Sequence, residues 1–380
     1  MKKITLSITF VIIAVISSFG QINKAALTDN KMKTFIDTAV NKAATIYLQD
    51  TNTNGISIGI YYKGKKYTYN YGEVKRGSRL LPTSDNFYNL GSVAKPFIST
   101  MLAEAVIEKK AKLTDDIRKY LPNTYPNLEY QGHPIRLIDL ANHTSSLPKE
   151  FHAFSPSVMD SIGKLNLLGQ ANYFNGYTQD CLLADLHKVK PDTIPGTKYQ
   201  YNGNATMLLM LLVERIYNQP YEKVVIQYLS KKLKMYETKT LLTETEIKRL
   251  AEGYNDENQP QGYANYKGFF GGPSMNSTIN DMLKFVEANI SEKDKAIKLT
   301  HQLTWGDKNG FALGLSWMMD TNKNGERFIF HDGHTGIGFN THCILYPKQK
   351  RGFIIIVNDI TDQDKVSDIE KAIKTDLDRH

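Results

Sequence analysis

The segment Gly91-Ser92-Val93-Ala94-Lys95-Pro96-Phe97 combines a serine, a lysine and a proline in an order that constrains the start of a helix. Ser92 and Lys95 are three residues apart, and residues with that spacing share one face of a helix. The ring of Pro96 clashes with the carbonyl four residues earlier unless that residue lies at or before the first turn. The sequence therefore predicts a helix over residues 92–112 with Ser92 at its amino terminus.

The amino terminus of a helix is a favourable place for a serine nucleophile. There the Ser92 hydroxyl meets the positive end of the helix dipole, which favours an oxyanion and disfavours a protonated Lys95. A neutral lysine amine can take the serine proton. The pair is not decisive by itself, because a serine often caps a helix without any catalytic role.

A second segment, residues 195–204, reads Pro-Gly-Thr-Lys-Tyr-Gln-Tyr-Asn-Gly-Asn and precedes an apolar helical run at residues 207–212. A tyrosine in a loop before a buried helix can reach into a cleft. Beside an ammonium group its phenol is expected to become more acidic, which would make Tyr201 a proton relay. The alternative is a packed tyrosine whose hydroxyl has an ordinary hydrogen-bond partner.

A third segment, His331-Asp332-Gly333-His334-Thr335-Gly336, is expected where one strand ends and the next begins. Its glycines let the backbone come close to a bound substrate. Two histidines beside an aspartate also raise the question of a metal. However, His331 and His334 point to opposite faces of an extended chain, and the sequence contains no HExxH or CxxC motif. We therefore expect neither a metal nor another cofactor.

Around these segments the apolar pattern changes twice along the chain. Before Ser92 the pattern predicts a helix over residues 31–49 and a hairpin of strands at 56–62 and 66–71. For residues 113–266 it predicts only helices and loops. Strands are predicted again at 311–319, 327–330, 340–346 and 352–357, followed by a helix with Val366, Ile369, Ile373 and Leu377 on one face. We expect an α+β fold. Residues 21–112 and 267–380 would share a central antiparallel sheet flanked by helices. Residues 113–266 would form an all-helical region. The active site would lie in the cleft between the sheet region and the helical region.

The first twenty residues are typical of a secretory signal peptide. Lys2 and Lys3 precede an apolar run from Ile4 to Ile16, which is too short for a membrane span, and small residues at 18 and 20 suit cleavage after Gly20. The alternative is an uncleaved anchor. The sequence thus predicts a periplasmic or secreted protein with no membrane span after cleavage.

Composition narrows the range of partners and cofactors. The formal charge is +8, but lysines and arginines alternate with acidic residues, so no nucleic-acid partner is expected. The two cysteines, Cys181 and Cys343, are too few for a disulfide scaffold. We expect both to be buried thiols, although one bridge between them stays open. The oligomeric state is not predicted.

Taken in order, the three segments resemble the SxxK, YxN and KTG-or-HxG elements of the serine β-lactamase and penicillin-binding-protein superfamily. The resemblance is to its class C branch, which includes β-lactamases, D-alanyl-D-alanine carboxypeptidases, D-aminopeptidases and esterases. It covers roughly residues 55–358. Supporting similarities lie at residues 113–122 and 140–148, at Gly271-Gly272, and at Ser277, Thr278 and Asp281.

The resemblance implies a β-lactamase/transpeptidase-like fold and a serine hydrolase that forms an acyl-enzyme on Ser92. It implies that Lys95 is the general base and Tyr201 the second proton-transfer group. His331 would line the cleft opposite Ser92 and hydrogen-bond toward Tyr201 or the substrate. His143, in contrast, resembles a packed structural histidine.

The resemblance also implies an oxyanion hole formed by the backbone N–H groups of Ser92 and His334, with Gly333 leaving room beside the strand. One departure from the family pattern is Gly203, which stands where the family usually has an asparagine. The substrate-steering amide is then missing unless Asn202 or Asn204 replaces it.

The other departure is His331 in place of a lysine, which removes a permanent charge that would pair with a substrate carboxylate. An ordinary histidine titrates near pH 6.5, so His331 is expected to be neutral at pH 7.5 and to gain charge toward pH 6. An esterase or D-amino-acid peptidase or carboxypeptidase acting on a small-molecule or peptide acyl substrate is therefore favoured. A class C-like β-lactamase and a non-catalytic penicillin-binding or sensor protein are the alternatives.

Overall fold

The computed structural model describes residues 27–152, 154–263 and 274–380, so the expected signal peptide (1–20) and Gly271-Gly272 lie outside the described residues. Within these ranges no helix is long and apolar enough to cross a membrane. The helices, in chain order, are α1 (Phe35–Tyr47), α2 (Lys95–Ile107), α3 (Leu137–Ala141), α4 (Pro156–Gly163), α5 (Leu167–Asn175), α6 (Gln179–Leu186), α7 (Gly203–Tyr217), α8 (Tyr221–Tyr228), α9 (Glu244–Ile247), α10 (Ile279–Ser291), α11 (Lys295–Thr300) and α12 (Gln363–Leu377).

One large antiparallel sheet joins strands from both ends of the chain. The strands are β1 (Gly55–Tyr62), β2 (Lys65–Gly72), β3 (Tyr88–Asn89), β4 (Glu129–Tyr130), β5 (His133–Pro134), β6 (Gly253–Tyr254), β7 (Pro260–Gln261), β8 (Asn276–Ser277), β9 (Trp305–Gly306), β10 (Ala312–Leu313), β11 (Met318–Thr321), β12 (Arg327–Thr335), β13 (Phe339–Tyr346) and β14 (Arg351–Val357). The sheet has the order β2-β1-β14-β13-β12-β11-β10-β9. Because β1 pairs with β14, with Ile56 opposite Val357, the predicted shared sheet and α+β class are confirmed.

Helices cover both faces of this sheet, which explains why β14 is buried along its whole length. Phe353, Ile355 and Val357 pack in a cluster with residues of α1 and α12, whereas Ile354 and Ile356 belong to the larger cluster that includes α2 and α10. This alternation follows the two-residue period of a strand. The predicted apolar face of the last helix is confirmed, since α12 buries Val366, Ile369, Ile373 and Leu377.

The described residues between 113 and 263 are mainly helical, but the expectation of an all-helical region is wrong in two places. Short antiparallel pairings join β4 to β5 and β6 to β7. In the first, Gln131 and Gly132 have positive φ angles of 50° and 79°, as in the tight turn of a type I′ hairpin. A two-residue pairing of this kind depends on its turn and leaves no alternating apolar pattern to detect.

The strands near the third segment also differ from the prediction. The strand expected at 311–319 is two strands, β10 and β11, separated by a turn in which Ser316 has a φ of 59°. The strand expected at 327–330 continues to Thr335, because Gly333 remains paired, opposite Thr341 of β13. The third segment therefore lies within a strand and not between two strands. Its alternate residues face opposite sides of the sheet.

The two cysteines do not form a disulfide. Both are free thiols, with Cys343 buried in β13 and Cys181 only half-buried at the start of α6. The expectation of a buried thiol is confirmed for Cys343 and is wrong for Cys181. The bridge that the sequence left open is absent.

Candidate functional site

Ser92 lies in a single 3-10 turn, Gly91–Ala94, that leads directly into α2. Pro96 occupies the first turn of α2, as its ring requires, and Val93 and Ala94 are buried beneath the turn. Gly91 has a φ of 53°, and a Cβ atom there would lie 2.9 Å from the His334 carbonyl oxygen. A glycine is therefore needed for the turn to approach β12 so closely.

Lys95 lies beside Ser92, and its Nζ donates a hydrogen bond of 2.9 Å to Ser92 Oγ. The lysine side chain is almost completely enclosed, with a residue exposure of 6%. Burial lowers the pKa of Lys95 to about 8, because a buried ammonium loses its hydration. Near neutral pH a useful fraction of Lys95 is therefore an uncharged amine that can accept a proton from Ser92.

Tyr201 approaches the same pair from the loop before α7. Its ring centroid lies 5.1 Å from Lys95 Nζ, which places the tyrosine beside the Ser92–Lys95 pair. The residue is 37% exposed overall, but partial burial of its phenol raises the pKa of Tyr201 to about 12, and the nearby Ser92 offsets only part of this shift. The expectation that the neighbouring ammonium makes this phenol more acidic is wrong, because desolvation of the phenolate is the largest effect and raises the pKa. Tyr201 is thus protonated at neutral pH.

His331 lies on β12, only 1% exposed, with its ring centroid 6.4 Å from that of Tyr201. Its Nδ1 is 2.7 Å from the backbone carbonyl oxygen of Asp332, and a carbonyl can only accept, so Nδ1 carries the proton. Burial, and next the charge of Lys95, lower the pKa of His331 to about 4. The expected titration near pH 6.5 is therefore wrong. His331 is a neutral imidazole whose Nε2 is a hydrogen-bond acceptor.

Asp332 and His334 face away from His331, as the strand alternation predicts. The Asp332 carboxylate accepts from His342 Nδ1 at 2.6 Å and from Gln363 Nε2 at 3.2 Å, so it does not hold the His331 proton. His334 Nδ1 lies 2.7 Å from Asn340 Oδ1. Within the described ranges, no group of three or more His, Cys, Asp or Glu side chains could hold a metal ion.

The backbone of β12 runs directly beside the serine turn. A Cβ atom added at Gly333 would lie 2.2 Å from the Leu90 carbonyl oxygen and 3.3 Å from the Ser92 amide nitrogen. One added at Gly91 would lie 3.0 Å from the His334 amide nitrogen. Only glycines allow this approach, and it brings the amides of Ser92 and His334 to neighbouring positions on two different elements.

The two asparagines expected to replace the missing amide serve their own loop. Asn202 is 2% exposed, its Oδ1 accepts from Ala205 N at 3.0 Å, and its Nδ2 donates to the carbonyl oxygens of Leu147 and Pro148. Asn204 Nδ2 donates to the carbonyl oxygen of Lys149. The prediction that the Asn202 amide is available to a substrate is therefore wrong, whereas for Asn204, which has one such bond, it stays a prediction. A Cβ atom at Gly203 would meet nothing within 4 Å, so there is room for a side chain at this position.

Comparisons with known proteins agree with this geometry. A model of the family described as Beta-lactamase matches residues 31–376. The chain is 26% identical over 297 residues to a β-lactamase of Pseudomonas fluorescens, covering 75% of each protein. It is 24% identical over 341 residues to the D-alanyl-D-alanine-carboxypeptidase/endopeptidase AmpH of Escherichia coli K12, covering 85% of this chain and 84% of AmpH. It is similar in structure to a β-lactamase/D-alanine carboxypeptidase from Pseudomonas syringae, with a TM-score of 0.75, 22% identity, and coverage of 90% and 99% of the two chains.

Proposed function

The chain belongs to the β-lactamase family and is a serine hydrolase of that fold, and we propose that it is exported and cleaves uncharged esters or D-amino-acid peptide bonds through an acyl-enzyme on Ser92. The observation that carries the proposal is the 2.9 Å hydrogen bond between Lys95 and Ser92 inside a buried site. The basic and apolar residues at positions 2–16 support export.

In the acylation step, Ser92 Oγ attacks the substrate carbonyl carbon while its proton moves to the neutral amine of Lys95. The burial that lowers the pKa of Lys95 to about 8 makes that amine available near neutral pH. The carbonyl oxygen, which gains negative charge, would be held by the backbone amides of Ser92 and His334. Fixed donors of this kind stabilise the tetrahedral intermediate more than the substrate.

Breaking the bond to the leaving group needs a proton donor, and Tyr201 fits that role. Its pKa of about 12 keeps the phenol protonated, and its ring lies 5.1 Å from Lys95 Nζ, which hydrogen-bonds to Ser92. Tyr201 would give its proton to the departing oxygen or nitrogen and regain one from the Lys95 ammonium. Water then attacks the acyl-enzyme with the proton transfers reversed, which releases the acid and restores Ser92.

The cleft wall favours substrates without a carboxylate. His331 is neutral and offers the acceptor Nε2, so it can receive a substrate N–H or O–H but supplies no charge to an anion. The open space beside Gly203 also leaves a substrate amide carbonyl without a steering donor on that side. Both features support an esterase or D-amino-acid peptidase over a β-lactamase, whose substrates carry a carboxylate.

A class C-like β-lactamase is the second candidate, and the similarity to the Pseudomonas fluorescens enzyme favours it. A panel of substrates decides between the two: an aryl acetate, D-alanine p-nitroanilide, an N-acyl-D-alanyl-D-alanine peptide and a chromogenic cephalosporin. We expect the uncharged ester or D-amino-acid amide to have a kcat/KM at least about tenfold above the cephalosporin. A cephalosporin turned over as fast as the ester would overturn the proposal.

A further inference from the structure

His143 contacts three consecutive residues of the loop that carries Tyr201. Its carbonyl oxygen accepts from Gln200 N at 2.8 Å, and its Nδ1 accepts from Asn202 N at 3.2 Å. Its ring centroid lies 4.4 Å from that of Tyr201, with the planes tilted by 37°. His143 itself has a φ of 54°, a conformation that non-glycine residues adopt infrequently and that is often found at functional sites. One residue thus holds the backbone N–H groups of the residues before and after Tyr201.

The hydrogen bond to Asn202 fixes the protonation of the His143 ring. A backbone N–H can only donate, so Nδ1 must be unprotonated and the proton of the neutral ring is on Nε2. His143 and His331 therefore flank Tyr201 as neutral rings with opposite tautomers. Burial, then the nearby Lys95 and His331, lower the pKa of His143 to about 3.

We propose that His143 is the positioning residue for Tyr201, and that its neutral Nε2–H form sets the angle of the phenol beside Ser92 and Lys95. The inference rests on the proposed function, since it assigns a residue to the same site. Tyr201 needs such support because 37% of the residue is exposed, and contact with solvent does not hold the ring in one orientation. A protonated His143 would lose the Asn202 hydrogen bond and add a charge close to Lys95.

The unpartnered nitrogen of His143 distinguishes it from a histidine that only fills the core. Its Nε2 is buried and has no hydrogen-bond partner within the described part of the chain. Buried donors without partners are rare because they lose hydration without compensation. In contrast, both ring nitrogens of the buried His301 are hydrogen-bonded, to Glu292 and to Asn289, each at 2.9 Å. His301 is therefore a matched control for the loss of a buried imidazole.

The test is a double-mutant cycle between His143 and Tyr201. We would measure kcat and KM for an aryl ester, and the rate of Ser92 acylation by a fluorophosphonate, in His143→Ala, Tyr201→Phe and the double variant. In the wild-type background, His143→Ala should lower kcat about tenfold and change KM less than about twofold. In the Tyr201→Phe background, the same substitution should lower kcat less than about twofold. His143→Asn, whose Oδ1 can accept from Asn202 N, should recover most of the rate. His301→Ala should lower the Tm and leave the rates within about twofold.

The inference would be overturned if His143→Ala lowered kcat as much in the Tyr201→Phe background as in the wild type. It would also be overturned if His301→Ala lowered kcat as much as His143→Ala does. If the wild-type protein is not acylated at all, the proposed function fails, and the inference is then judged by 15N NMR of labelled histidines. A neutral Nε2–H tautomer of His143 from pH 5 to 9, with Tyr201 reoriented in a crystal structure of His143→Ala, supports it. An Nδ1–H tautomer, protonation near pH 6.5, or an unmoved Tyr201 refutes it.

Discussion

Lys95 Nζ lies 2.9 Å from Ser92 Oγ, and the lysine is 6% exposed. The two observations belong together, because the burial that brings the amine beside the serine also removes its hydration and lowers its pKa to about 8. A surface lysine at the same distance would remain charged and could not accept the serine proton. Burial at the base of α2 therefore connects the fold to the proposed chemistry.

Activity should rise with pH as Lys95 loses its proton. With a pKa of about 8 for Lys95 and about 12 for Tyr201, we expect kcat/KM for an aryl ester to increase through pH 8 and to show no falling limb below pH 10. A pH profile corrected for spontaneous ester hydrolysis measures this directly. An ascending limb near pH 6.5 would indicate a histidine base and would exclude Lys95 from that role.

Replacing the buried lysine should stabilise the fold while abolishing activity. Folding lowers the pKa of Lys95 from 10.5 to about 8. At a pH where the amine is charged in both the folded and the unfolded protein, this shift corresponds to roughly 3 kcal/mol of lost stability. Because the folded-state pKa is lowered, this penalty is complete below pH 8 and vanishes above pH 10.5. Lys95→Met should therefore raise the free energy of unfolding by about 2–3 kcal/mol at pH 7 and by little at pH 11. Lys42→Met, at an exposed lysine on α1, is the control and should change stability by less than about 0.5 kcal/mol.

Discrimination between charged and uncharged substrates should not depend on pH in the acidic to neutral range. His331 has a pKa of about 4, so it stays neutral and cannot gain charge toward pH 6. We expect the ratio of kcat/KM for matched substrates with and without a carboxylate to stay constant from pH 5.5 to 7, below the range in which Lys95 loses its charge. An increase of that ratio toward pH 6, with a midpoint near 6.5, would show that His331 is protonated and recognises substrate charge.

The open space at Gly203 should accept an asparagine. Because a Cβ atom there meets nothing within 4 Å, Gly203→Asn should leave the Tm nearly unchanged and restore an amide on that side of the cleft. We expect acylation of Ser92 by a fluorescent penicillin to become about tenfold faster, equivalent to one added hydrogen bond. Unchanged penicillin labelling in a stably folded variant would mean that position 203 does not face the substrate.

Asn202→Ala provides the contrasting case in the same loop. It removes the cap of α7 and two hydrogen bonds to the loop at Leu147 and Pro148, so it should cost about 2 kcal/mol of stability. Thermal unfolding of the two variants separates the structural asparagine from the open position. Equal Tm values for both variants would contradict the assignment of Asn202 to the loop.

Local patterns predicted the parts of the site that depend on local geometry. The spacing of Ser92, Lys95 and Pro96 is sufficient to place the serine at the start of a helix, and glycines at 91 and 333 are required where β12 meets that turn. The strand alternation that separates His331 from His334 is also local, and the structure confirms it.

The properties that depend on burial could not be predicted in this way. The pKa of Tyr201 is raised, and the pKa of His331 is lowered, by burial among segments that are distant in the sequence. The Asn202 amide donates to the carbonyl oxygens of Leu147 and Pro148, which lie 55 and 54 positions away in the sequence. Nothing in the sequence around Asn202 indicates those partners. His143 lies 59 positions from Asn202, so its contact with the tyrosine loop becomes visible only in the folded chain.

The most direct test of the central claim is peptide mass spectrometry after reaction of the purified protein with a fluorophosphonate at pH 8. We expect one adduct, on the peptide that contains Ser92. The adduct should be absent in Ser92→Ala, at least about a hundredfold slower to form in Lys95→Ala, and unchanged in Ser291→Ala, which alters an exposed serine on α10. An adduct on another residue, or labelling of Ser92 at an undiminished rate without Lys95, would contradict it.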